Sequence, residues 1–167
     1  MSNSGQFRLA PSGAARVASA PDKTSIVHLH HGAQGFDFLG FHHRKVESWR
    51  WPGRYYLQRW PSTRAMAAVH GKVRDATSVR QVGRSLTSVV ADLNPLLRGW
   101  GGYFRRGNSA RKFSTLDSYV QERLAILDNA RRGRSGRSWG LCHNSAWYSR
   151  LGVYRLSGTI TPARTHA

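Results

Sequence analysis

Apolar positions recur with a period of two up to Trp60-Pro61-Ser62 and with a period near 3.6 beyond it. Ile26, Val27 and Leu29, a polar break at residues 30–35, and then Phe36, Phe38, Leu39 and Phe41 predict an antiparallel hairpin around a glycine-containing turn. A further strand is expected over residues 54–60, although neither its Tyr55, Leu57, Arg59 face nor its Tyr56, Gln58, Trp60 face is cleanly apolar. Ser62 followed by Met66, Val69 and Val73 predicts a capped helix over 63–76. Ser85 followed by Leu86, Val89, Val90 and Leu93 predicts a second, stopping at Asn94. Asn94-Pro95 reads as a fresh start, with Asn as cap and Pro at the first helical position, where its missing N–H costs nothing. Leu96, Leu97, Trp100, Tyr103 and Phe104 then share one face, opposite Arg98, Gly99, Gly101, Gly102 and Arg105. Phe113, Leu116, Val120, Leu124 and Leu127 stripe a fourth helix, which runs into a basic Gly/Ser loop over 131–137. A short helix is expected near 145–151, then irregular chain over 152–156. Residues 1–21, small, polar and without period, are expected to be a disordered leader.

Charge changes this picture most. The 167 residues carry 26 Lys plus Arg against 8 Asp plus Glu, a formal net charge of +18, while 40% hydrophobic content still supplies a core. Such an excess seeks a polyanion, and nucleic acid leads the candidates. Arg outweighs Lys, which suits bidentate phosphate contacts and is also what a GC-rich genome produces. Three glycines inside one helix cost about 1 kcal/mol each relative to Ala, so either another helix or an RNA backbone is expected to come close to them. The single Cys142 excludes an internal disulfide. No run approaches the roughly 18 apolar residues of a membrane span, so a soluble, cytoplasmic protein without a membrane partner is expected.

Five ordered blocks then resemble the C-terminal part of group II intron-encoded reverse transcriptases of bacteria. They are Lys23-Thr24-x-Ile26-Val27, Gly35-Phe36-x-Phe38-Leu39-Gly40-Phe41, Trp60-Pro61-Ser62, Leu93-Asn94-Pro95-x-Leu97-Arg98-Gly99-Trp100-x-x-Tyr103-Phe104, and Phe113-x-x-Leu116-Asp117-x-Tyr119-Val120-x-x-Arg123-Leu124. The likeness spans about residues 21–130, and the stretch from Leu151 to Thr159 is similar to the tails of some members. It implies an α+β fold, a small antiparallel hairpin unit over 22–60 from the end of the palm, followed by a three- to four-helix thumb-like maturase domain over 61–130, with a basic loop and tail over 131–167. It further implies that Phe38, Leu39 and Gly40 take primer-grip positions, and that Asn94, Pro95, Gly99, Trp100, Tyr103 and Phe104 take the thumb motif. The expected partner is structured intron RNA, whose splicing the domain would assist. The cations assigned to that contact are Arg98, Arg105, Arg106, Arg111, Lys112, Arg123, Arg131, Arg132, Arg134 and Arg137.

One departure decides the enzymology. Family polymerases hold two Mg²⁺ ions on paired carboxylates, in a Tyr-Ala-Asp-Asp loop and an upstream Asp. The eight acids here, Asp22, Asp37, Glu47, Asp75, Asp92, Asp117, Glu122 and Asp128, include no adjacent pair and no two-residue spacing. No catalytic residue is expected, and no cofactor. A second reading makes the chain the thumb-bearing half of a split polymerase, partnered by a separately encoded catalytic half; a third makes it a decayed remnant. His28, His30, His31, His42, His43 and Cys142-His143 lack the Cys pairs or carboxylates of a zinc site, and the tail is too short for a His-Asn-His nuclease. The aromatics Trp49, Trp51, Tyr55, Tyr56 and Trp60, interleaved with arginines, divide between core and base-stacking surface, with Trp60 expected inside.

Overall fold

The computed structural model describes residues 35–134 and 143–160. Three antiparallel strands, β1 (Phe36–Phe38), β2 (Phe41–Glu47) and β3 (Tyr55–Pro61), form a sheet in the order β1-β2-β3. Helices α1 (Thr63–Ala76), α2 (Leu86–Phe104), α3 (Ala110–Arg131) and α4 (Ser145–Arg150) follow, with a 3₁₀ turn at Val79–Gln81. The architecture is mixed α+β, sheet first and helices after. Among the described residues, no helix is long and apolar enough to cross a membrane.

A hairpin turn falls inside the run that the pattern read as one strand. The expected strand at Ile26, Val27 and Leu29 falls outside the described residues, and the run from Phe36 to Phe41 is itself cut by a two-residue turn. Leu39 and Gly40 both adopt left-handed φ, 48° and 78°, so Phe38 faces Phe41 across the turn. That geometry matches the natural twist of paired strands, and Gly40 supplies half of it without strain. β2 then pairs with β3 so that His42 opposes Trp60 and Arg44 opposes Gln58.

Ser62 begins the helical part. Its Oγ accepts from Ala65 N at 3.2 Å, and its own N–H donates to Gly40 O at 2.8 Å, fixing the hairpin turn against the start of α1. Ser85 caps α2 in the same way, accepting from Ser88 N at 3.1 Å.

Two helices were expected either side of Asn94-Pro95; there is one. The buried positions Leu86, Val89, Val90, Leu93, Leu97, Gly101 and Phe104 form a single stripe through Pro95. An interior Pro costs about 3 kcal/mol, yet burying Leu93 and Leu97 completely returns about 1.5 to 3 kcal/mol each, so continuity wins. Pro95 and Ala91 lie on the exposed side, which leaves the Ala91 carbonyl to solvent. The core joins this stripe to Met66, Val69 and Val73 of α1 and to Phe113, Leu116, Val120, Leu124 and Leu127 of α3.

The chain after α4 returns to that core. Leu156 is fully buried, and a Cβ on Gly101 would collide with its side chain, so at this glycine packing is the close approach. Asp117, itself buried, accepts from Leu156 N at 2.9 Å and Ser157 N at 2.8 Å.

Candidate nucleic-acid interface

The end of α2, the start of α3 and the edge of β3 meet at one junction. Residues 104–116 contain four cations and no acid, and the next acid, Asp117, is buried beneath Leu156 and Ser157. The loop is drawn onto β3 by Asn108, whose N–H donates to Arg59 O at 2.6 Å and whose Oδ1 accepts from Arg59 N at 3.3 Å. Gly107 permits that approach, since a Cβ there would sit 2.7 Å from Arg59 O. The Arg59 guanidinium lies 5.6 Å from the centre of the Phe41 ring and donates to Arg106 O at 3.0 Å. Phe41 in turn packs on Phe104 at 4.7 Å between ring centres. Arg105, Arg106 and Arg111 are left exposed around this point and Lys112 half-buried.

Ser109, the residue before α3, turns its hydroxyl back to Phe104 O at 2.9 Å and does not cap the helix. No acid lies in the first turn of α3, so its free N–H groups reinforce the positive potential of Arg111 and Lys112. A cleft of about 770 Å³ opens here, walled by Gln58, Trp60, Asn108, Arg111, Lys112 and Thr115. Trp60, expected inside, stands half-buried at this cleft, where its ring also packs on His42 at 5.1 Å. The extended strand alternation cannot bury Trp60 and its face-mates Gln58 and Tyr56 without a further layer on that side.

The assigned cations divide into three groups. Arg105, Arg106, Arg111 and Lys112 gather at the junction, while Arg98, two turns back on α2, lies 5.3 Å from the Tyr154 ring centre. Arg123 is turned inward: its Nε donates to Thr77 Oγ1 at 3.1 Å and its terminal nitrogen to Thr77 O at 3.2 Å, closing the end of α1. Arg131, Arg132 and Arg134 are exposed at the far end of α3, twenty residues and therefore about 30 Å from Arg111. There Arg132 pairs with Asp128 at 2.9 Å, and Asp128 also meets the buried His143 at 2.9 Å. Arg137 lies outside the described residues.

The motif residues play separate parts. Phe38 and Leu39 are exposed at the hairpin turn, where Leu39 O accepts from the Tyr103 hydroxyl at 2.8 Å and Gly40 lies over the Phe104 ring. Trp100 packs on Phe104 and Phe113, at 4.7 and 5.6 Å between ring centres. Gly99 and Gly102 face open space. Asn94 does not cap a helix; it binds the backbone of residues 152–154.

Among the described residues, two histidines have pKa values lowered from 6.5. His43 is shifted first by burial and then by Arg59 and His42, against the opposing pull of Asp37; His70 is shifted by burial. Among the described residues, no cluster of three or more His, Cys, Asp or Glu has metal-binding geometry. The contributions of Gln58, Asn108 and His70 escaped sequence reasoning, which placed Arg59 only among the arginines interleaved with the aromatics.

Residues 66–143 match the family model of the group II intron, maturase-specific domain, and this span takes in most of α1, all of α2 and α3, and most of the junction. No curated protein matches the chain.

Proposed function

We propose that the chain binds structured group II intron RNA through phosphate and shape contacts, and so assists splicing, with no polymerase chemistry of its own. The observation that carries this is the junction: Arg105, Arg106, Arg111 and Lys112 converge with Arg59 on an acid-free surface inside or beside the matched span. Arg side chains and helix N–H groups facing outward suit phosphate, and A-form RNA is read mainly by shape and backbone. Arg131, Arg132 and Arg134 offer a second contact about 30 Å along α3, weakened at Arg132 by Asp128. Gly99 and Gly102, open and bare, let a backbone come close to α2 beside Arg98 and Arg105. The test is a comparison of intron RNA with an unrelated structured RNA of equal length, at fixed salt, beside a splicing assay. At least tenfold preference for the intron and a gain in spliced product are expected; equal affinity and no gain would contradict the reading.

A second reading, the thumb-bearing half of a split reverse transcriptase, is favoured by one observation. Phe38, Leu39, Trp49, Trp51, Tyr56 and Leu57 are all exposed along the sheet and its turns, more apolar surface than a small basic unit needs. A separately encoded catalytic half is the partner this reading requires. Co-purification of the two halves, lost when Phe38 and Leu39 become Ser, supports it; a chain that stays monomeric beside that half removes it.

A further inference from the structure

Phosphate contacts leave unused the aromatic and polar walls of a groove along α3. The cleft at Trp60 and Gln58 shares Arg111 and Thr115 with a second cleft, of about 560 Å³, whose far wall is built by His70, Ser118 and Tyr119. Arg111, Thr115, Ser118 and Glu122 recur at helical spacing, so the two clefts follow one another along a stripe of α3 about 16 Å long. Each cleft falls within the roughly 300 to 1,000 Å³ typical of small-molecule sites.

The chemistry changes along this groove. At one end stand the Trp60 ring and the Gln58 amide; in the middle stand Arg111 and Lys112; at the other end His70 and Tyr119 stack, 4.3 Å apart at 26°. His70 Nε2 is buried and, among the described residues, has no hydrogen-bond partner, and burial lowers the pKa of its imidazole below 6.5. Glu122, at that same end and already partnered, repels phosphate. An anion therefore belongs in the middle and flat, polar-edged rings belong at the ends. A paired duplex keeps its bases stacked inside and presents no such rings, whereas an unpaired strand offers a ring face, a hydrogen-bonding edge and a phosphate at each step.

We propose that this groove holds unpaired RNA nucleotides, one base against Trp60 and another against the Tyr119–His70 pair, with the phosphate between them at Arg111 and Lys112. The inference rests on the RNA-binding reading and names the part of the RNA that this site takes. A single-stranded loop or bulge fits it, and a continuous helix does not.

The test uses the full chain and three short probes of equal charge: a single-stranded RNA carrying 5-iodouridine, the same strand with abasic sugars, and a duplex of half its length. The single strand is expected to bind at least tenfold more tightly than either other probe, and light-induced crosslinks are expected at Trp60 and Tyr119. Trp60→Ala is expected to lower the preference over the abasic strand severalfold without changing the salt slope, and Trp60→Phe to keep it. Should Tyr119→Ala unfold, as read by circular dichroism, the crosslink sites in the unaltered chain and Tyr119→Phe decide that end. Equal binding of abasic and normal strands, or crosslinks confined to other residues, overturns the groove while intron binding persists and leaves the RNA reading intact. Failure of every RNA to bind overturns both.

Discussion

Asn94 and Tyr154 are joined by a hydrogen bond of 2.7 Å across 60 positions of sequence, the Asn94 Oδ1 accepting from the Tyr154 backbone N–H. The same amide donates through Nδ2 to Gly152 O at 2.9 Å, so one side chain fixes the returning segment that delivers Leu156 to the core. Loss of these two hydrogen bonds, one exposed and one partly buried, costs on the order of 1 to 3 kcal/mol. Asn94→Ala is expected to lower the urea midpoint accordingly without changing the slope of the transition, and to expose residues 152–160 to protease. Unchanged stability would show that the segment is held by Asp117 and Leu156 alone.

Pro95 gives a sharper test of the continuous α2. Inside a helix it forfeits a hydrogen bond and strains the preceding turn, at about 3 kcal/mol, partly offset by its lower freedom in the unfolded chain. Pro95→Ala is expected to raise stability by about 1 to 3 kcal/mol in urea titration. At a helix start the same change is neutral or harmful, so no gain would mean that α2 breaks at Asn94 after all.

Leu39 holds φ of 48°, a conformation that a leucine reaches only at a cost. Asn tolerates it and is the preferred partner of Gly in this turn. Leu39→Asn is expected to stabilise the chain by about 1 kcal/mol, read by thermal unfolding. The backbone contact from the Tyr103 hydroxyl to residue 39 survives the change, so destabilisation would indicate that the exposed leucine packs on something in solution.

Acid should weaken the fold through His70. Burial lowers its pKa below 6.5, so the unfolded chain takes up this proton at higher pH than the folded chain does. The stability gained from a neutral His70 is complete above 6.5 and is lost as pH falls through the folded value. His70→Gln is expected to reduce the loss of stability between about pH 7 and 5, with His43, also lowered, supplying part of what remains. An unaltered pH profile would place the titration elsewhere.

Helices were legible wherever an apolar stripe met a capping serine: Ser62 with Met66, Val69 and Val73, and Ser85 with Leu86, Val89 and Val90, gave α1 and the start of α2. The stripe of α3 was equally plain. Asn94-Pro95 misled because its local preference for a helix start was real but smaller than the burial of Leu93 and Leu97 on either side. The Leu39-Gly40 turn was hidden by a leucine where turn chemistry favours Asn or Asp. For the candidate site, charge pointed to a polyanionic partner and put Arg105, Arg106, Arg111 and Lys112 among the assigned cations. It could not show that Arg123 is turned onto Thr77, nor that Arg59, distant in sequence, completes the junction, because both depend on how the elements pack.

The central claim is that RNA phosphates bind at the junction of α2, α3 and β3. Its most direct measurement is the affinity of the full chain for intron RNA over a range of salt, before and after Arg105→Gln, Arg106→Gln, Arg111→Gln and Lys112→Gln together. The predicted result is a linear fall of log affinity with log salt that becomes flatter by about 3, at about 0.7 to 0.9 for each of four lost phosphate contacts, while the urea midpoint stays in place. A folded variant that keeps both affinity and slope would contradict the account.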